Sequence, residues 1–149
     1  MIFSFGQSEH ERIEVDVRGY ERAPIGEYYD DNWLTVEIRT NAGGFRGKAS
    51  AAFLTGELVK FVSELRPLFE TLKGSAKFET MEKQLRLHLT GDGKGHIELK
   101  GEVLDQPGIG NRLSFTLKFD QSQLNVSIRE LEKVISSFPV REIETTKKN

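Results

Sequence analysis

Three histidines are the only side chains in this 149-residue sequence suited to carry a proton at neutral pH. Nucleophilic catalysis asks for more: a nucleophile, a base in reach and a third group to orient the base. His10 lies near the start, His88 lies between Leu87 and Leu89, and His96 adjoins a glycine-rich stretch; no Gly-x-Ser-x-Gly elbow accompanies them. His88 falls on the outward side of an alternating run, which makes it a surface strand residue. Cysteine is absent, so there is no thiolate nucleophile, disulfide or Cys-ligated zinc or iron–sulfur site. Neither His-x-x-x-His nor His-Glu-x-x-His occurs, Glu64 and Glu70 lack the partner motif of a di-iron bundle, and Asp92 starts no calcium loop. The sequence thus predicts no catalytic residue, no metal and no cofactor.

Gly91-Asp92-Gly93-Lys94-Gly95 has the look of a phosphate cradle. A working cradle leads from a strand into a helix whose N-terminus holds the anion. Both flanks here alternate like strands, so the glycines serve a hairpin turn that needs positive φ. A glycosidase-type carboxylate pair stays open, since any two of the 23 acids could meet in space.

Period-2 alternation marks the elements that must position these residues. Ile13, Val15 and Val17 form one run, Leu34, Val36 and Ile38 a second, and Ala49, Ala51 and Phe53 a third. Further runs are Ala76–Thr80, Leu85–Leu89, Ile97–Val103 and Leu113–Phe119. Helical spacing takes over at Leu58, Phe61, Val62, Leu65, Leu68, Phe69 and Leu72, with Thr55 as N-cap and Gly74 as stop. Pro67 should kink or shorten that helix. A second helix carries Leu124, Ile128, Leu131, Ile135 and Phe138, capped by Asp120 or Ser122 and ended before Pro139. The expected fold is α+β: a single antiparallel sheet of about six to seven strands with two helices on one face, in the order βββα-ββββα. One domain over residues 1–149 is expected, with an irregular loop at 19–32 and a fraying tail at 141–149.

The halves echo each other. A shift of 66 aligns Phe53, Leu58, Val62, Glu64, Leu65 and Phe69 with Phe119, Leu124, Ile128, Glu130, Leu131 and Ile135. A shift of 65 aligns Leu34, Glu37 and Ile38 with Leu99, Glu102 and Val103. Internal duplication explains this, and so does the generic pattern of an amphipathic hairpin followed by an amphipathic helix.

The net charge is −2, with eight acids and three bases in residues 1–32, so that segment is −5 and the remainder +3. Neither the total nor any basic, aromatic-laced stripe points to nucleic acid. No segment is apolar over the ~20 residues of a membrane span. Met1–Gly6 has no basic n-region or signal-type core, so the cytoplasm is the expected compartment. A broad mixed-charge sheet face, with Glu37, Arg39, Arg46, Lys48, Arg86, His88, Glu98, Lys100, Glu102, Thr116 and Lys118, is suited to docking a protein or simply to facing water.

Trp33-Leu34-x-Val36-Glu37, Ala42-Gly43-Gly44-Phe45-x-Gly47, Gly91-Asp92-Gly93-x-Gly95-His96-Ile97-Glu98-x-x-Gly101-Glu102, Pro107-Gly108-Ile109-Gly110-Asn111 and Phe119-Asp120-Gln121 resemble the WapI-like immunity family. The similarity runs over about residues 28–138 and leaves the first ~27 unmatched. It implies a non-catalytic bacterial protein that neutralises a cognate toxin's C-terminal domain, often a nuclease, by direct binding. Within that reading the candidate contacts are Asp30, Asp31 and Trp33 on one loop, Arg86, His88, Glu98 and Glu102 on the sheet face, and Asp105, Asn111 and Arg112 at another loop. Two other readings remain: a small-molecule or carbohydrate-binding module, which needs a concave pocket, and a hydrolase, which needs a cleft of strongly shifted titratable groups.

Overall fold

The computed structural model describes residues 1–142. Its elements are β1 (Ile2–Ser8), β2 (Glu11–Tyr20), α1 (Tyr28–Asn32), β3 (Trp33–Ala42), β4 (Phe45–Leu54), α2 (Thr55–Thr71), β5 (Lys73–Glu79), β6 (Leu85–Asp92), β7 (His96–Gln106), β8 (Ile109–Asp120) and α3 (Gln121–Ser137). The strands make two antiparallel sheets in the orders β1-β2-β3-β4 and β5-β6-β7-β8, not the single sheet expected. Alternation along a strand tells which residues share a face, but not which strand lies beside it. Here each run of four strands closes on itself and then enters a helix.

The additional strand is β1, where Phe3 and Phe5 are fully buried. With it, each half reads four strands and a helix. Both helices have 17 residues, and α3 begins and ends 66 positions after α2. The ladders pair Leu34 with Phe53 and Ile97 with Phe119. Leu34 therefore corresponds to Ile97, an offset of 63; the sequence alignment with Leu99 was two residues out of register. The architecture is consistent with internal duplication.

One hydrophobic cluster draws on both sheets and both long helices. Phe5 of β1 meets Phe61 of α2 at 5.8 Å and Phe119 of β8 at 6.1 Å, while Phe53 of β4 meets Phe78 of β5 at 5.3 Å. Each sheet thus covers the apolar face that the other would expose, and each such aromatic contributes about 1.5–3 kcal/mol by burial.

The helix ends differ from the expected caps in instructive ways. Leu54, not Thr55, is the N-cap of α2, and its amide is closed by Glu57 Oε1 at 2.7 Å. The helix runs through Pro67 to Thr71, and Leu72 in the left-handed conformation (φ 62°) ends it before Gly74. Asp120 caps α3 as expected, accepting from the amides of Ser122 and Gln123 at 3.0 and 3.3 Å. The glycine-rich stretch after β6 is a hairpin turn with Gly93 and Gly95 at φ 85° and 100°, joining two strands.

The long loop before β3 is held from within. Asp31 accepts from the amides of Ile25 and Gly26 at 2.7 and 2.9 Å, and buried Asn32 donates to the carbonyls of Tyr28 and Arg141. Arg141, the first residue of the tail expected to fray, donates its amide to Asn32 Oδ1 at 2.7 Å and stacks its guanidinium over Tyr20. The rest of that tail, 143–149, lies outside the described residues.

Candidate interaction surface

No helix among the described residues is long and apolar enough to cross a membrane, and no group of His, Asp and Glu among them is placed to hold a metal. The candidate contacts fall into three places. Asp30 and Asp31 lie in α1, a short helix within the stretch expected to be irregular, and Trp33 opens β3; Asp31 is buried with both carboxylate oxygens engaged, and Trp33 is half-buried beside Leu54. Asp105, Asn111 and Arg112 flank the β7–β8 turn, where Asn111 donates its amide and its side-chain nitrogen to Asp105 at 2.8 and 3.2 Å. That turn borders a small hollow shared with Thr40, Arg46 and Lys48, at the far end of β3 from Trp33. A ten-residue strand is about 33 Å long, so these two groups do not belong to one small epitope.

The third group, Arg86, His88, Glu98 and Glu102, lies on the outward face of the second sheet. Cross-strand register arranges that face in rows: Ser75–Thr90–Glu98–Lys118, Lys77–His88–Lys100–Thr116 and Glu79–Arg86–Glu102–Ser114. Glu102 joins this group to the turn, since Arg86 reaches it at 3.7 Å from one side and Arg112 at 3.7 Å from the other. The structure therefore unites Arg86, His88, Glu98, Glu102 and Arg112, with Asp105 and Asn111 next to them, and leaves Asp30, Asp31 and Trp33 apart. The middle row has no acid, and neither of its lysines is ion-paired among the described residues. Lys77 was missed in the sequence and Lys100, though placed on the outward face, was not named a contact, because the register that puts them in one row is not visible there.

The outward positions Glu37, Arg39, Arg46 and Lys48, grouped with this face in the sequence reading, belong to the other sheet. There the charges neutralise one another. Asp16 pairs with the N-terminal amine, Arg18 and Arg39, and Glu37 pairs with Arg18, Arg39 and Lys48. Although burial pushes the Asp16 carboxyl upward, the combined pull of the N-terminal amine, Arg18 and Arg39 holds it below its ordinary value. Glu14 and Asp16, two of the eight acids of residues 1–32, are thus paired within the sheet.

A hollow of about 860 Å³ lies at the other end of the second sheet between Asp92, His96, Lys118 and the start of α3. Its Asp92–His96 pair is already engaged. Asp92 accepts from the amides of Lys94 and His96 at 2.7 and 3.1 Å and pairs with His96 Nδ1 at 2.7 Å. These contacts, the Lys94 amide foremost, bring its carboxyl down to about 2.

The sequence profile of the WapI-like immunity protein family matches residues 3–139. The chain belongs to that family. The match takes in nearly all of the first 27 residues, which the motif comparison had left unassigned; β1 and β2 are part of the family's fold. No curated protein matches the chain. Among solved structures it is similar to the plant transcriptional regulator PBF-2 (TM-score 0.52, 14% identity, 93% of this chain and 81% of that one). It is also similar to WHY1 from Arabidopsis thaliana (TM-score 0.51, 14% identity, 94% and 85%) and to WHY3 from the same plant (TM-score 0.50, 14% identity, 93% and 88%). At that identity the likeness concerns the fold alone. Family membership carries with it toxin neutralisation and a cognate toxin as partner.

Proposed function

We propose that this immunity protein neutralises its toxin by binding the toxin domain directly, without catalysis, in the cytoplasm of the producing cell. The observation that supports this most is the outward face of the second sheet. It is a polar, rigid surface with Arg86, His88, Glu98, Glu102, Lys77 and Lys100 held in register by the strands beneath. Counting Arg112 and Lys118, its five cations exceed its three acids, Glu79, Glu98 and Glu102, so its complement is an acidic patch on the toxin. On a nuclease toxin such a patch lies away from the basic, nucleic-acid-binding site, and capture there needs no direct contact of this chain with nucleic acid.

The test is co-expression with the cognate toxin domain, followed by size-exclusion chromatography of the mixture. Wild type should restore growth and co-elute; a Lys77→Glu/Lys100→Glu double variant, exposed and unpaired at both sites, should lose at least tenfold in affinity. Asp30→Ala, on the separate loop, should bind within threefold of wild type. Growth arrest with no complex for the wild type would remove the proposal.

A further inference from the structure

Four strands lie at sheet edges, and on three of them one residue's free backbone group is bonded from inside the molecule. On β1, the Ser4 amide donates to Glu130 Oε1 of α3 at 2.9 Å and the Ser4 carbonyl accepts from Ser127. On β5, the Lys77 amide donates to Glu64 Oε1 of α2 at 2.9 Å. On β4, the Ser50 carbonyl accepts from the buried Gln84 side chain at 3.0 Å. The fourth, β8, is the longest of the four at 12 residues. From Arg112 to Phe119 none of its backbone groups bonds to anything but β7 among the described residues.

Antiparallel geometry says which groups are free. Side-chain direction and N–H direction alternate together along a strand, so every residue whose side chain leaves one face points its backbone groups to the same edge. On β5 the freed amide belongs to Lys77, whose side chain lies opposite the core. β8 runs antiparallel to β5 at the opposite edge of the same sheet, so its outward side chains also mark the residues that face away from the sheet. Those are Arg112, Ser114, Thr116 and Lys118, all exposed.

We infer that β8 is a strand-addition site, to which an extended segment of the toxin pairs through backbone hydrogen bonds. This rests on the toxin-binding reading above and says how the binding is made. Arg112 and Lys118 stand about 20 Å apart on the free strand with the two hydroxyls between them. A strand laid alongside would set its own outward side chains against that row. Acidic residues at both ends and small polar ones in the middle are the complement. The same two cations work against a second copy, because antiparallel self-pairing centred on Phe115 would set Arg112 against Lys118, and cations on a free edge are a common guard against self-association.

The experiment is backbone hydrogen exchange of the full chain, alone and with the toxin domain, combined with Thr116→Pro and Thr116→Val. Proline at an outward-facing edge position removes a donor that the fold itself does not use, and circular dichroism with thermal unfolding checks that the variant is folded. Strand addition predicts at least tenfold slower exchange at Ser114, Thr116 and Lys118 in the complex. It also predicts at least tenfold weaker binding for Thr116→Pro and less than threefold change for Thr116→Val. Wild-type binding with unchanged exchange at those three amides overturns the inference while leaving toxin binding intact, as does a folded Thr116→Pro variant that binds normally. Should Thr116→Pro not fold, the exchange result alone decides. Protection of the same amides without toxin, together with a dimer in light scattering, would assign the edge to a second copy and overturn it. Absence of wild-type binding takes down the toxin reading and this inference with it.

Discussion

The two halves of the molecule share a plan and spend their surface charge differently. In the first half the outward sheet face is tied together: Arg39 alone pairs with Glu14, Asp16 and Glu37, and the chain's own amino terminus joins Asp16. In the second half, ion pairs gather at Glu102 and Arg86, while Lys77, Lys100 and Lys118 are left unpaired among the described residues. The edges follow the same division. Both edges of the first sheet carry an internal hydrogen bond, whereas the second sheet keeps β8 bare. A repeated unit of this kind can keep one copy for structure and free the other for contact.

The largest expected effect asks whether the halves stand or fall together. Leu34 and Ile97 occupy corresponding positions and are 0% and 1% exposed. Truncating either to alanine should cost about 2–5 kcal/mol in urea unfolding, through lost burial and the cavity left behind. Because one core serves both sheets, each variant should lose fluorescence and circular dichroism signals in a single coincident transition. Two separated transitions would break the picture of a shared core.

A smaller effect tests the equivalence of the helices. Glu64 and Glu130 hold the same place in α2 and α3, and each reaches the first strand of the opposite half. Glu130 does more, accepting from both the amide and the hydroxyl of Ser4, which is only 5% exposed. Glu130→Ala should therefore cost about 1.5–3 kcal/mol, the range for hydrogen bonds to a charged acceptor at a covered site. Glu64→Ala, at an exposed strand, should cost under about 1 kcal/mol. Equal costs would mean that solvent already reaches Ser4 and that the edges are not guarded to different degrees.

Much of this was legible in the residues. Alternation located seven of the eight strands, and helical spacing located α2 and α3. The strand β1 escaped because Phe3 and Phe5 are only two apolar positions in a short run that includes Gly6. The division into two sheets could not be read, since a strand's own pattern fixes its faces and leaves its neighbours to tertiary packing. The same ambiguity hid the two-residue slip between β3 and β7, where apolar alternation looks alike at any even offset. At the candidate surface, alternation correctly put Arg86, His88, Glu98 and Glu102 on one outward face. It merged them with Glu37 and Arg39, and it did not register Lys77 and Lys100 as a row. Asp31 looked like an exposed acid next to a tryptophan; its two bonds to the amides of Ile25 and Gly26 depend on how the chain folds back, which spacing does not encode.

The connections that follow the second strand of each half sharpen the comparison through pH. In both, an aspartate gathers two backbone amides: Asp31 in the long loop of the first half, Asp92 in the tight turn of the second. The longer loop can bury its aspartate, whereas Asp92 stands at the surface with exposed His96 as its partner. Its carboxyl titrates near 2 in the folded chain against 3.8 for an ordinary aspartate, chiefly because the Lys94 amide bonds to the ionised form, with His96 next. Above about pH 4 the group is ionised whether the chain is folded or not, and only the folded state offers those bonds, so the stabilisation is complete. As the pH falls from about 4 to 2 the unfolded chain takes up the proton first, and the advantage drains away until both states are protonated. Urea midpoints measured across pH 2–5 should therefore fall less steeply for Asp92→Asn than for wild type, with the two curves converging toward pH 2. Parallel curves would show that the turn is held by its glycines alone, and that the aspartate of the second half has lost the structural part its counterpart keeps.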